Sequence, residues 1–199
     1  MITLVIGLIL FLGIHAVRIV APGAREAAIE RFGAGAWQGV YSVLSLLGLI
    51  LVGRGYSAAY GTGEWLYDPP DWGRLVAYVA MLFAFVFAIA SGGPPNHVRR
   101  WVGDPLLIAT ILWAGSHLFV RSDTVHVVLL GGFLVWAIAD LVSSRRRRAM
   151  GISTSPSYVP ADAEPRWSVT AVAVVAGIIL YVLFVVWAHE WLFGVSPVG

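Results

Sequence analysis

Residues 168–193 read SVTAVAVVAGIILYVLFVVWAHEWLF, a run whose single carboxylate, Glu190, stands near its end. At 1.5 Å per residue a helix needs about 20 apolar residues to cross a hydrocarbon core about 30 Å thick, and this run exceeds that length. Working outward, similar runs occupy residues 2–21, 37–53, 74–90, 105–120 and 125–142, the fourth being short. The pattern predicts an all-α, polytopic membrane helix bundle of about six transmembrane helices, forming a single domain over residues 1–199. Composition agrees. With 59% hydrophobic and 12% charged residues and a mean hydropathy of +0.82, the chain carries more apolar surface than one soluble core can hide. The first run lacks a basic leader region and holds His15 and Arg18 within its apolar stretch, so it reads as a retained helix rather than a cleaved signal.

All 13 basic residues are Arg, and the chain holds 22 Gly, a usage typical of a GC-rich bacterial genome. Ten of the Arg flank loops after odd-numbered runs, against three (Arg54, Arg74 and Arg121) on the other side. Basic residues gather on the cytoplasmic face, so both termini are expected outside, in a periplasm, with the chain in the inner membrane. Trp37, Trp101, Trp167 and Trp191 sit near span ends, at headgroup level, whereas Trp113, Trp136 and Trp187 read as helix-packing residues. Residues 25–32 alternate charge with Ala and suggest a short interfacial helix. Residues 66–72, with Pro69 and Pro70, form a rigid outer turn, and residues 92–96 another break. Residues 149–165, rich in Ser, Pro and Ala, are expected to be a flexible cytoplasmic linker.

No cysteine is present, which excludes disulfides, iron–sulfur clusters, thiolate metal sites and covalent c-type haem attachment. No glycine-rich phosphate loop, internal repeat or nucleic-acid signature is present either. Any metal must be held by His or carboxylate. His15, His117 and His189 fall within spans, whereas His97 and His126 lie in or beside loops. Ionisable groups in a membrane are costly and usually face the bundle interior, so these are the first functional candidates. A membrane His also serves as an interhelical hydrogen bonder. Haem b, held by axial ligands and packing, suits buried His, no Cys, apolar lining and Arg for the propionates. Arg18 lies three residues after His15 on the same face, placed for a propionate; it could equally snorkel to headgroups or pair with Asp140. Counting depth, His15 lies about 20 Å and His117 about 12 Å from the outer boundary, an offset that tilt can absorb. His189, about 33 Å along its helix from Trp167, lies near the outer surface and is the reserve ligand, closer to His117 or His126 than to His15.

The segments around residues 7–18, 37–42, 66–70, 103–107, 112–118, 136–140 and 189–194 resemble, in order and over nearly the whole chain, the NnrU family. That resemblance implies a bacterial inner-membrane protein linked to nitrite and nitric oxide metabolism in denitrification. The family includes the plant zeta-carotene isomerases, in which a first-span His and a later Trp–x–x–x–His bind haem b. The matching positions here are His15, and Trp113 with His117. The isomerases carry a Cys three residues before the second His, where this chain has Ala114, and Arg-His-Pro at the helix entry, where Asp104-Pro105 stands. The entry signature shared with isoprenylcysteine methyltransferases is therefore lost, and Asp104 reads as a helix N-cap ahead of Pro105.

Three functions fit these residues. One is a haem b protein serving nitric oxide metabolism as a redox, sensing or assembly factor, with metal ligands His15 and His117 and Arg18 beside the haem. A second is a haem-dependent cis-trans isomerase acting on a carotenoid or other polyene. The third is a non-catalytic membrane subunit, possible also as a homo-oligomer, whose Arg145-to-Arg148 run meets anionic headgroups or a partner, or simply sets topology.

Overall fold

A computed structural model describes residues 1–152 and 163–198. Its elements are α1 (Ile2–Val20), α2 (Pro22–Phe32), α3 (Ala34–Ala59), α4 (Gly73–Ala90), α5 (His97–Val102), α6 (Pro105–Leu118), α7 (Thr124–Ala149) and α8 (Trp167–Leu183); α8 runs through a π turn (Phe184–Ala188) into α9 (His189–Phe193). Five helices are long and apolar enough to cross a membrane: α1, α3, α4, α7 and the continuous α8–α9. The polytopic helical bundle expected from the sequence is what forms. Few of their residues are buried inside the protein, and large apolar side chains such as Ile9, Leu46, Val79, Val135 and Val172 face outward, as lipid contact requires.

The helices pack in the serial order α3–α1–α7–α6–α4–α8, with α2 against α1 and α3 and α5 against α4, α6 and α8. Close approach of α1 and α3 depends on glycine: a Cβ on Gly55 would lie 2.3 Å from Leu4 N, and one on Gly7 2.5 Å from Val52 N. Small residues let backbones meet where no hydrophobic drive separates helix from lipid.

The short fourth run is α6, 14 residues or about 21 Å, shorter than the hydrocarbon core. Its ends are closed by protein. Beyond Leu118, Leu66 N donates to Ser122 O at 3.0 Å and Thr124 N to Glu64 O at 2.9 Å, and the Tyr67 hydroxyl donates to Leu118 O at 2.5 Å. The proline turn is thus a lid over the end of α6 that satisfies backbone groups. At the other end Asn96 caps α5, accepting from Arg99 N at 3.0 Å and donating to Ala90 O at 2.9 Å.

Two readings change, those of Asp104 and Trp187. Asp104 begins α6 but does not cap it: its carboxylate accepts from Arg148 at 2.5 Å and from Ser144 at 3.2 Å. At 1% exposure a charge-assisted bond to a guanidinium outweighs a bond to a backbone N–H. Helix α7 continues through the Arg run; Arg145 and Arg146 face outward while Arg147 and Arg148 turn inward. Trp187 does not pack between helices but stacks on Trp191, 64% exposed, on the outer face. The interfacial helix starts at Pro22 and covers all of the expected residues. Most of the predicted linker, residues 153–162, lies outside the described residues.

Candidate functional site

The hydrogen bonds of the five histidines sort them. His126 uses both ring nitrogens, Nδ1 on Asp123 Oδ2 at 2.6 Å and Nε2 on the Tyr56 hydroxyl at 3.0 Å. His97 meets Thr170 Oγ1 through Nδ1 at 3.0 Å and stacks on Trp167 with ring centroids 3.8 Å apart. The other three place Nδ1 on a backbone carbonyl: His15 on Phe11 O at 2.6 Å, His117 on Trp113 O at 2.8 Å, and His189 on Val195 O at 2.7 Å. A carbonyl oxygen only accepts, so Nδ1 carries the proton. In the neutral ring Nε2 then keeps its lone pair, the form in which imidazole binds a metal.

His189 is delivered by the π turn, in which its own N–H bonds the Phe184 carbonyl five residues back. Such turns are frequent at functional sites. Gly194, at φ 67°, then adopts the left-handed conformation that turns the chain so that Val195 O reaches the ring. The Tyr78 hydroxyl holds the same segment by donating to Pro197 O.

His117 and His189 line the same space. Two recesses, of about 520 and 350 Å³, share both imidazoles together with Met81, Phe85, Arg121 and Phe184. The larger is walled by aromatic and aliphatic residues of α3, α4, α6, α7 and the α8–α9 segment; the smaller is lined also by Arg74 and Pro197. Tyr56 and His126 reach the larger recess, so the series Asp123–His126–Tyr56 joins a carboxylate in the outer loop to the cavity wall. Burial works to raise the Asp123 carboxyl, but hydrogen bonds from the His126 side chain and from the His126 and Val125 N–H groups outweigh it and lower the pKa. The carboxylate is therefore an ionised acceptor that fixes the His126 tautomer, and its role as N-cap of α7 rests on the same N–H groups. Sequence reading passed over this series because its members lie 70 residues apart at the most.

His15 lies elsewhere, in a chamber of about 670 Å³ with Arg18, Arg25, Tyr41, Trp136 and Asp140 that shares no lining residue with the two outer recesses. Helices α1 and α6 are not packed on each other; each packs on α7. Between the two imidazoles runs a file of rings, His15–Phe11 at 4.4 Å, Phe11–Phe133 at 5.8 Å, Phe133–Trp113 at 5.3 Å and Trp113–His117 at 6.3 Å. The structure brings His15 to Arg18, and His117 to His189, but not His15 to His117. Counting depth along two helices gives their heights and not their neighbours. Asp140 takes an ion pair from Arg147 at 3.4 Å on its own helix, and Ala114 is wholly buried, with no thiolate near His117.

Among the described residues no three His, Cys, Asp or Glu side chains gather to hold an ion. The outer cavity instead offers two imidazole nitrogens, a thioether, aromatic walls and two guanidiniums. That set suits a cofactor bringing its own equatorial ligands and carboxylates, so haem b fits these residues. A membrane helix bundle with histidine-lined cavities in its two halves defines the class. Within it the chain belongs to the NnrU family, whose model, described as NnrU protein, matches residues 3–197. No curated protein and no solved structure matches it.

Proposed function

We propose that this NnrU-family chain is a haem b protein of the bacterial inner membrane, acting in nitric oxide and nitrite metabolism as a redox, sensing or assembly factor. The observation that carries the reading is the pair His117 and His189, each locked at Nδ1 by a backbone carbonyl and each lining one cavity. The shared cavity favours His189, rather than His15, as the partner of His117. When bound, haem b supplies one-electron exchange at its iron. The chain's own part is to orient His117 through the Trp113 carbonyl and His189 through Phe184–Ala188 and Val195, and to exclude water with Phe85, Trp113 and Phe184; Arg74 and Arg121 on the cavity walls would receive acidic substituents. Tyr56, held by His126 and Asp123, keeps a proton at the wall, where a change of charge inside the cavity can be balanced.

The test is the reduced-minus-oxidised visible spectrum of detergent-purified protein with haemochromogen quantification. A low-spin b-type spectrum near one haem per chain is expected, lost in His117→Ala and His189→Ala and retained in His15→Ala. Loss in His15→Ala with retention in His189→Ala returns the site to the pair implied by the family resemblance. Absence of haem after expression with a haem supply overturns the reading and leaves the imidazoles as packing residues.

A further inference from the structure

The chamber around His15 is unused by the outer cavity. It lies at the Arg-rich end of the bundle, between α1, α2, α3, α6 and α7, at about 670 Å³ the largest of these cavities. Three guanidiniums, Arg18, Arg25 and Arg147, line it against two carboxylates, Asp104 and Asp140. Both carboxylates already accept from α7 cations, Asp104 from Arg148 at 2.5 Å and Asp140 from Arg147 at 3.4 Å. Three guanidiniums against two carboxylates leave the lining net positive, and beside the His15 Nε2 acceptor the polar walls offer donors: the Tyr41 hydroxyl, the Gln38 amide and the Trp136 indole, whose Nε1–H is buried with no acceptor among the described residues. A buried donor without a partner calls for an acceptor, and a positive field for an anion. One oxygen of Asp104, Oδ1, is buried without a donor, which adds a place for a hydroxyl.

The chamber also has an apolar extension. A furrow of about 430 Å³ runs along α1 past Ile6, Ile9, Leu10 and Gly13, with Leu44 of α3 opposite, and shares Ile14 and Val17 with the chamber. A Cβ on Gly13 would meet nothing within 4 Å, so the furrow is open there on the lipid side. A cationic, donor-rich pocket at headgroup depth joined to an apolar furrow has the form of a phospholipid. The interfacial helix α2 supplies Arg25 and Ile29, closing the pocket from the aqueous side.

We infer that this chamber is a binding site for one anionic phospholipid of the inner leaflet, its phosphate and hydroxylated head among Arg18, Arg25 and Trp136 and one acyl chain in the Gly13 furrow. Each cation near the surface draws an anionic lipid, so losing two guanidiniums weakens binding by at least about tenfold.

The full-length protein in a mild maltoside detergent is titrated with dioleoylphosphatidylglycerol, dioleoylphosphatidylcholine, oleate or inorganic phosphate, and 1:1 adducts are counted by native mass spectrometry. Phosphatidylglycerol is expected to bind at least tenfold more tightly than phosphatidylcholine. That preference falls about tenfold in Arg18→Gln/Arg25→Gln, falls in Arg25→Gln alone, and both lipids weaken in Gly13→Phe, which fills the furrow. Arg54→Gln, at the opposite end, leaves it unchanged, and a thermal melt near that of the parent shows that each variant is folded. Equal binding of the two phospholipids, or an unchanged preference in the folded Arg variants, overturns the proposal. Oleate binding as tightly as phosphatidylglycerol assigns the site to a free fatty carboxylate, and equal binding of inorganic phosphate assigns it to a free oxyanion; either result also overturns it.

Discussion

Asp123 does two things with one carboxylate: Oδ1 caps α7 through the Val125 and His126 N–H groups, each at 3.2 Å, and Oδ2 holds the His126 ring at 2.6 Å. Asn keeps the shape and the cap but not the charge, whereas Ala keeps neither. Asp123→Asn is therefore expected to cost about 1–2 kcal/mol through the charge-assisted bond, and Asp123→Ala roughly 1 kcal/mol more through the cap. Thermal melts of the two variants separate these terms. The pH dependence follows from the lowered carboxyl pKa. A group whose folded pKa lies below its unfolded value, about 3.9 for Asp, contributes stability that is fully present above the unfolded value and is lost as pH falls through the folded one. The parent should hold its melting temperature from neutral pH to about pH 5 and lose it below about pH 4, and Asp123→Asn should show a smaller acid-side loss. An acid limb identical in the two proteins would place the titrating group elsewhere.

Among elements, the α1–α3 pair and the α8–α9 join show where sequence reading succeeds and where it stops. Apolar runs placed each long helix within a turn or two, since lipid thickness leaves little choice of length. Which face of a helix meets which neighbour is decided by close approach, and Gly7, Gly48 and Gly55 are recognisable as contact points only once α1 lies on α3. Gly55→Leu forces side-chain atoms into the Leu4 backbone and should lower stability by roughly 1–3 kcal/mol or more, seen as a lower melting temperature and poorer membrane yield. Gly53→Ala meets open space and should be neutral. The π turn was not legible at all: residues 178–193 contain neither Pro nor Gly to mark a break, so a period of 3.6 carried on from Trp167 puts His189 on the wrong face. The in-span histidines are legible in the sequence as residue types, but which of them share a cavity, His117 with His189 and His15 with Arg18, is not. Arg147 and Arg148 show the same limit, since a four-residue Arg run looks uniform until the turn of α7 divides it into an outward and an inward half.

At the scale of the whole molecule the two ends of the bundle are chemically distinct. At one end Arg147 donates to Arg18 O, Arg148 to Asp104, Arg100 to Ala163 O and Arg166 N to Pro95 O, so the segments after the odd-numbered spans are tied together. At the other, residues 64–66 pair with 122–124, and Tyr78 holds the C-terminal segment. Arginines gather in segments that stay on the side of synthesis, so this partition predicts an orientation, with the Arg-rich end cytoplasmic and the His117–His189 cavity periplasmic. A chain without cysteine lets the orientation be read without background. Exposed Trp72, on the proline turn, and Glu26, on α2, are replaced singly by Cys and treated with a membrane-impermeant maleimide in intact spheroplasts. Trp72→Cys should label at once and Glu26→Cys only after permeabilisation. The reverse pattern would invert the bundle, put the His117–His189 cavity on the cytoplasmic side and move the phospholipid site to the outer leaflet. Labelling of both in intact cells would mean that the two loops share a face, which the separation of their hydrogen-bonded ends does not allow.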